Sequence, residues 1–273
     1  MKFNIKDLRV QPGQKVNLAK MDTRDTPFWD SDDKEGALVR LKELNERLEA
    51  LQELLWAQGS ERILVVIQAM DAGGKDGTVR HVFEGVNPTG VKVASFERPS
   101  SKELAHDYLW RVHSQVPGDG ELTIFNRSHY EDVLVVRVDE IVPKKRWQRR
   151  FDHIVNFEQM LADEGTTIIK LFLHISKDEQ KERLQARLDE PHKNWKFEEG
   201  DLGPRSKWDE YQKAFADVLA KTSTKDAPWY VIPADRKWYR NIAVSEILIQ
   251  TLEGLKMSFP EPAEGLEDVV IPD

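Results

Sequence analysis

An α/β fold in three layers, with helices on both faces of a parallel sheet of about five strands, is what this sequence predicts, and three features predict it. Short apolar runs rich in Val, Ile and Leu, at 63–69, 91–96, 122–125, 167–175 and 229–232, alternate with segments of helical period. Their near-continuous apolarity marks strands buried on both faces. The first run passes into the glycine-rich "QAMDAGGKDGT" of residues 68–78 and then turns helical, which places a loop at a strand's carboxyl end, where sheets of this kind bind ligands. Residues 177–222 hold two helical segments around a polar, proline-containing connection and no strand, so they read as a helical flap.

Residues 1–33 carry Gly, Pro and Asp punctuation with little periodicity and read as an extended arm. Over 33–58, Leu38, Leu41, Leu44, Leu48, Leu51 and Leu54/Leu55 recur at spacings of three and four, one stripe of an amphipathic helix that Gly59 stops. Further helices are expected over 76–84, 102–115 and 144–162. One domain results: arm and helix 1–59, core 60–176 and 223–256, lid 177–222, and a proline-rich acidic tail 257–273.

With 273 residues, 40% of them hydrophobic, the chain can bury a sizeable core. The absence of cysteine excludes disulfide frameworks and thiolate metal sites. The N-terminal stretch lacks the apolar core of a signal peptide and no apolar run reaches membrane-spanning length, so a cytoplasmic protein with no membrane partner is expected. A net charge of −8 and a pI near 5.5 argue against a nucleic-acid platform and require any polyanion to be held locally. The clustered cations of "PKKRWQRR" (143–150), and Lys181, Arg183 and Arg187 in "KERLQAR", are either solvated helix faces or parts of such a local site.

A buried strand, a glycine turn and a helix start converge several backbone N–H groups and the positive end of a helix dipole on one point, which suits phosphate. Gly73, Gly74 and Gly77 permit close approach, Lys75 can bridge phosphate oxygens, and Asp76 and Thr78 complete the loop. The match to G-x-x-x-x-G-K-[ST] is partial: Ala69 stands at the first Gly, and Asp76 replaces the hydroxyl that usually meets magnesium. Asp71 would repel phosphates unless a cation lay between them, so it is expected to bind Mg²⁺. At the end of the 122–125 strand, Asn126 stands where an aspartate is usual. Arg127 can fork onto a phosphate, and Glu131 and Asp132 suit a metal, a ribose hydroxyl or a water. Arg183 and Arg187, four apart, share a helix face that can grip an anion as the flap closes and excludes water. Trp195, Phe197, Trp208 and Tyr211 are expected to pack the flap's hinge, and the loop 234–238 either caps the sheet, the default, or lines a nucleotide or polymer groove with Arg236 and Lys237 supplying charge.

The collinear set "QAMDAGGKDGT", "GVNPTGVKVASF", "DYLWRVHSQVPGDGEL", "IFNRSHYEDVLVVRV", "FLHISKDEQKERLQARL", "WKFEEGDL" and "APWYVIPADRKWYRN" resembles the family-2 polyphosphate kinases over nearly the whole chain. The "NRSHYEDV" form is similar to the class III branch, which acts on both nucleoside monophosphates and diphosphates. The resemblance implies a P-loop kinase-like fold with a helical lid, Mg²⁺ dependence, inorganic polyphosphate as donor, and adenine nucleotides as acceptors, with guanine nucleotides a further option. It also implies roles for Asp71, Lys75, Arg127, Arg183 and Arg187 in phosphoryl transfer, places Asn126, Glu131 and Asp132 near the nucleotide, and suggests a homo-oligomer. The residues alone leave two rivals: an ATP-dependent nucleoside or nucleotide kinase, and a non-catalytic polyanion-binding module.

Overall fold

The computed structural model describes residues 3–272. The N-terminal arm runs along the sheet's edge, where Val10 N–H donates to the Trp229 carbonyl (2.8 Å) and Phe3, Leu8, Val10 and Leu18 are buried. Helix α1 (Lys34–Gln58) starts at Asp33, whose carboxylate accepts from Gly36 N–H (2.8 Å). It ends at Gly59, which takes the left-handed conformation (φ 66°) a Cβ would disfavour. Leu44, Leu48, Leu51 and Leu55 face the core as the stripe predicts, whereas Leu38 is exposed on the first turn.

The sheet then builds in sequence: β1 (Arg62–Ala69), α2 (Lys75–Val82), β2 (Val91–Ser95), the single turns α3 (Ser101–Leu104) and α4 (Trp110–His113), and β3 (Leu122–Asn126). After β3 come α5 (Val135–Val138), α6 (Lys144–Asp163), β4 (Thr166–His174), α7 (Lys177–Asp189), α8 (Leu202–Ser206), α9 (Trp208–Thr222), β5 (Trp229–Pro233) and α10 (Lys237–Gly254). Its order is β2-β3-β1-β4-β5, all parallel. Ile67 on β1 lies opposite both Asn126 on β3 and Leu171 on β4, so the carboxyl ends of the central strands come out together. No helix among the described residues is long and apolar enough to cross a membrane.

One expected element differs. The helix predicted over 102–115 is broken into α3 and α4, because Asp107 turns its carboxylate onto Leu109 N–H (3.0 Å), a local bond that competes with the helical ladder.

Lys170 breaks the apolar layer in the middle of β4, fully buried. Its ammonium donates to Glu158 on α6 (2.6 Å), to the Thr222 carbonyl at the end of α9 (2.6 Å) and to the Tyr130 hydroxyl (3.0 Å). Tyr130 donates to Glu158 in turn (2.7 Å). Four segments, including the turn after β3, are fastened at one buried charge pair.

Candidate active site

The loop after β1 is shaped by what lies behind it. A Cβ on Gly73 would meet the Ala69 side chain at 2.5 Å and the Met70 carbonyl at 2.6 Å, and Gly74 sits at φ 99° as the N-cap of α2. Between the strand and these glycines Ala72 adopts φ 56°, an unusual value for a residue with a side chain. The loop therefore turns sharply enough to aim the start of α2 at the cleft. Lys75 is buried, and its ammonium donates to the carbonyls of Ala69 (3.3 Å) and Met70 (3.4 Å) at the end of β1. Burial lowers its pKa and Asp71 opposes the drop.

β3 supplies the second half. Arg127 follows its last residue at φ 62°, and this left-handed twist turns the guanidinium back across the β1 loop, where Nη2 donates to Asp71 Oδ1 (2.9 Å). Asn126 donates to Asp76 Oδ1 (2.6 Å), so both ends of the glycine loop are tied to the neighbouring strand. Burial lowers the Arg127 pKa, but Glu131 and Asp71 outweigh it and the guanidinium is held more firmly charged. Glu131 shares this field: burial drives its carboxyl above the ordinary range, with Arg127 and Lys75 pulling the other way.

α7 closes the third side. Gln180 donates to the Asp71 carbonyl (2.9 Å), and Arg183 donates to the carbonyls of Ala72 (3.1 Å) and Ala234 (2.6 Å) while pairing with Glu179 (2.7 Å). Arg187 pairs with Asp201 (2.8 Å). Together these walls enclose a cleft of about 770 Å³ that runs from Phe96 and Arg98 past the glycine loop to Lys193, Lys196 and Lys237.

The cleft brings together Asp71, Gly73, Gly74, Lys75, Asp76, Gly77, Asn126, Arg127, Arg183 and Arg187 from three separate segments of the chain. Glu131 stands close to Arg127 and Lys75 without lining it. Thr78 is fully buried and its hydroxyl donates to the Gly74 carbonyl (3.1 Å), which turns it inward into α2. Asp132 pairs with Arg150 on α6 (2.6 Å), away from the loop. The rest of the 143–150 cluster does not line the cleft either: Lys144, Lys145, Arg146 and Arg149 are solvated at the start of α6.

Among the flap aromatics, Trp208 and Tyr211 are buried as expected, but Trp195 is 78% exposed and lines the cleft. Asp235, in the loop after β5, accepts from the Thr23 hydroxyl (2.7 Å) and Ser176 N–H (2.9 Å), capping the sheet as predicted. Three groups escaped sequence reasoning: Lys170 with Glu158, Arg240, and the β2-end pair Phe96 and Arg98. A lysine inside "TTIIKLFLH" and an arginine inside a helix as apolar as "WYRNIAVSEILI" were the available signals, since neither charge can reach water from there.

Magnesium is the ion the loop's chemistry implies. Among the described residues no three His, Asp or Glu side chains converge to cage a metal. Asp71 has one oxygen on Arg127, and Oδ2 has no hydrogen-bond partner there. A single carboxylate beside a phosphate cradle fits Mg²⁺, which keeps most of its waters and takes its remaining ligands from substrate phosphates.

Backbone amides, an ammonium and a guanidinium around the carboxyl edge of a parallel sheet define a phosphotransferase of the P-loop kinase type. Comparison with known proteins narrows the class. The polyphosphate kinase 2 (PPK2) family matches residues 29–260. An AMP/ADP-polyphosphate phosphotransferase of Meiothermus ruber is 61% identical over 98% of this chain and 100% of its own, and an ADP-polyphosphate phosphotransferase of Rhodopseudomonas palustris is 47% identical over 96% and 94%. The crystal structure of polyphosphate kinase 2 from Arthrobacter aurescens TC1 superposes with a TM-score of 0.91 at 42% identity, covering 95% of this chain and 93% of that one. The chain belongs to the polyphosphate kinase 2 family and is a polyphosphate-dependent nucleotide kinase.

Proposed function

We propose that this cleft moves the terminal phosphoryl group of inorganic polyphosphate onto the terminal phosphate of AMP or ADP. An acceptor phosphate oxygen forms a bond to the terminal phosphorus in line as the bridging P–O bond breaks. ADP or ATP results, with a polymer one unit shorter. One phosphoanhydride is exchanged for another, so the reaction is reversible. The observation that carries this reading is the Asp71–Arg127 pair, which spans the carboxyl ends of β1 and β3 directly above the glycine loop.

In this scheme the amides of Gly73 to Gly77 and Lys75 hold the group in transit, and Arg127 follows its charge as the bonds exchange. Asp71 holds Mg²⁺, which when bound supplies the positive charge that lets a carboxylate and phosphate oxygens share one site. Residues 177–222 serve as the lid, with Arg187 reaching the anion and Arg183 holding the loop through Ala72. Asn126 and Glu131 lie on the acceptor side. Relatives named for AMP and relatives named for ADP both match this chain, and the 61% identity to one named for both favours use of both adenine nucleotides, with guanine nucleotides as a further acceptor. The cysteine-free composition fits a cytoplasmic enzyme, and the exposed Phe259, Val270 and Ile271 of the tail fit a homo-oligomer.

The test is an ATP-free assay. Protein with Mg²⁺, polyphosphate and either AMP or ADP should yield ADP and ATP from the first and ATP from the second. No nucleotide product under these conditions, with phosphoryl transfer when ATP is the donor, overturns the donor assignment.

A further inference from the structure

The first turn of α10 runs behind the glycine loop and carries a charge that the chemistry above leaves unused. Arg240 is only 2% exposed, yet among the described residues its guanidinium forms no ion pair. Nε and Nη2 both donate to one neutral acceptor, Asn241 Oδ1 (3.1 and 2.7 Å). Nη1 is turned to Gly74. A Cβ on Gly74 would fall on that nitrogen, and a Cβ on Gly77 would come within 3.4 Å of Nη2, so the arginine and the glycine loop are fitted to one another.

Its charged surroundings are cationic. Arg183 Nη1 reaches the same Gly74 position (3.3 Å), and Lys237 stands one turn earlier on α10. Burial and Arg183 together bring the Arg240 pKa down to about 9. Of the other buried cations among the described residues, Lys170 has Glu158 and Arg150 has Asp132, while Lys75 lies in the loop itself and donates only to the carbonyls of Ala69 and Met70. A buried guanidinium without a countercharge is costly, and the start of a helix such as α2 is a poor place to add positive charge. The one nearby point where anionic charge belongs is the mouth of the loop that Arg240 supports.

We propose that Arg240 is a positioning residue for phosphoryl transfer: it holds the Gly74–Gly77 backbone from behind and supplies positive charge that is balanced when a phosphate chain occupies the loop. This rests on the reading of the loop as a phosphate cradle. A buried charge kept for a ligand has an unusual signature, because removing it relieves the empty protein while weakening the liganded one. Removing a residue that merely packs destabilises the empty protein and leaves the increment from ligand unchanged.

The experiment is thermal denaturation of the full chain with and without inorganic tripolyphosphate, alongside steady-state kinetics, for wild type, Arg240→Met and Arg240→Lys. Arg240→Met is expected to melt at or above the wild-type temperature without ligand and to show less than half of the wild-type rise with tripolyphosphate. Its KM for polyphosphate should increase about tenfold while the KM for ADP stays within about twofold. Arg240→Lys, which keeps the charge, should retain most of the tripolyphosphate shift. An Arg240→Met chain that is less stable than wild type or does not fold, a tripolyphosphate shift it leaves undiminished, or an Arg240→Lys chain as impaired as Arg240→Met overturns the proposal. If the wild type itself shows no shift with tripolyphosphate, the cradle reading fails together with it.

Discussion

Replacing Lys170 with methionine keeps most of the stem's volume and removes an ammonium that makes three short contacts: 2.6 Å to Glu158, 2.6 Å to the Thr222 carbonyl and 3.0 Å to the Tyr130 hydroxyl. Glu158 stays behind, 1% exposed, with hydrogen bonds from Tyr130 and His129 only. In the native protein burial pushes the Glu158 pKa up, but Lys170 and His129 outweigh burial and hold it below the ordinary carboxylate range. Without Lys170 that balance reverses and Glu158 takes up a proton at the expense of stability. Breaking a buried pair from one side costs about 3–5 kcal/mol. At roughly 2–4 °C per kcal/mol, the melting temperature at pH 8 should fall by about 10 °C.

The pH dependence fixes the cause. A depressed carboxyl contributes stability that is present above its unfolded pKa and lost as pH falls through the folded value, so the wild type keeps this contribution from pH 8 to pH 5 and loses it only in stronger acid. The variant instead has a raised Glu158, whose penalty is relieved as pH falls. The gap between them should therefore narrow between pH 8 and pH 5. The double change Lys170→Met with Glu158→Leu should recover much of the loss, because two apolar groups leave no uncompensated charge. Calorimetry of the three variants at both pH values is the assay. A fall of less than about 2 °C at pH 8, or a gap that widens on acidification, would refute the argument. Since Tyr130 lies in the turn that also carries Arg127 and Glu131, kcat should drop even well below the new melting temperature.

Two further outcomes follow from the cleft. Asp71→Asn should cut kcat by about 10²-fold or more at saturating Mg²⁺ with the melting temperature nearly unchanged; near-normal turnover, checked by a Mg²⁺ titration of rate, rejects the metal role. Glu131→Gln tests the burial of that carboxyl. A raised acid contributes stability that is present below its unfolded pKa and lost as pH rises through the folded one, so the variant should gain on the wild type from pH 4 to pH 8 in melting temperature, and a gain that shrinks over that range contradicts the sign.

The strands were readable closely because those at the centre of the sheet are buried on both faces and almost wholly apolar, Lys170 excepted, whereas the edge strand β2 (Val91–Ser95) is largely exposed and not covered on both faces as expected. The predicted runs 63–69 and 229–232 compare with Arg62–Ala69 and Trp229–Pro233. The glycine turn between β1 and α2 was equally legible, since glycines and a lysine after such a strand leave few alternatives to a strand-turn-helix unit. The helix over 102–115 was misread because its periodicity was sound and only the single bond from Asp107 to Leu109 breaks it. Trp195 was misplaced for a related reason: an aromatic residue in a flap carries no mark of which side faces water.

From the sequence by itself came the order of the elements, the glycine loop at a strand's end, and the inventory of charges near it, all of which depend on neighbours in the chain. Partnership was decided by the tertiary structure alone. Asp132 goes to Arg150 and Asp71 to Arg127, Thr78 turns inward, and Arg240 reaches Gly74 across more than half the chain. Such choices depend on which strands are adjacent and which helix packs behind which loop, and a linear string of residues contains those distances only through the fold that sets them.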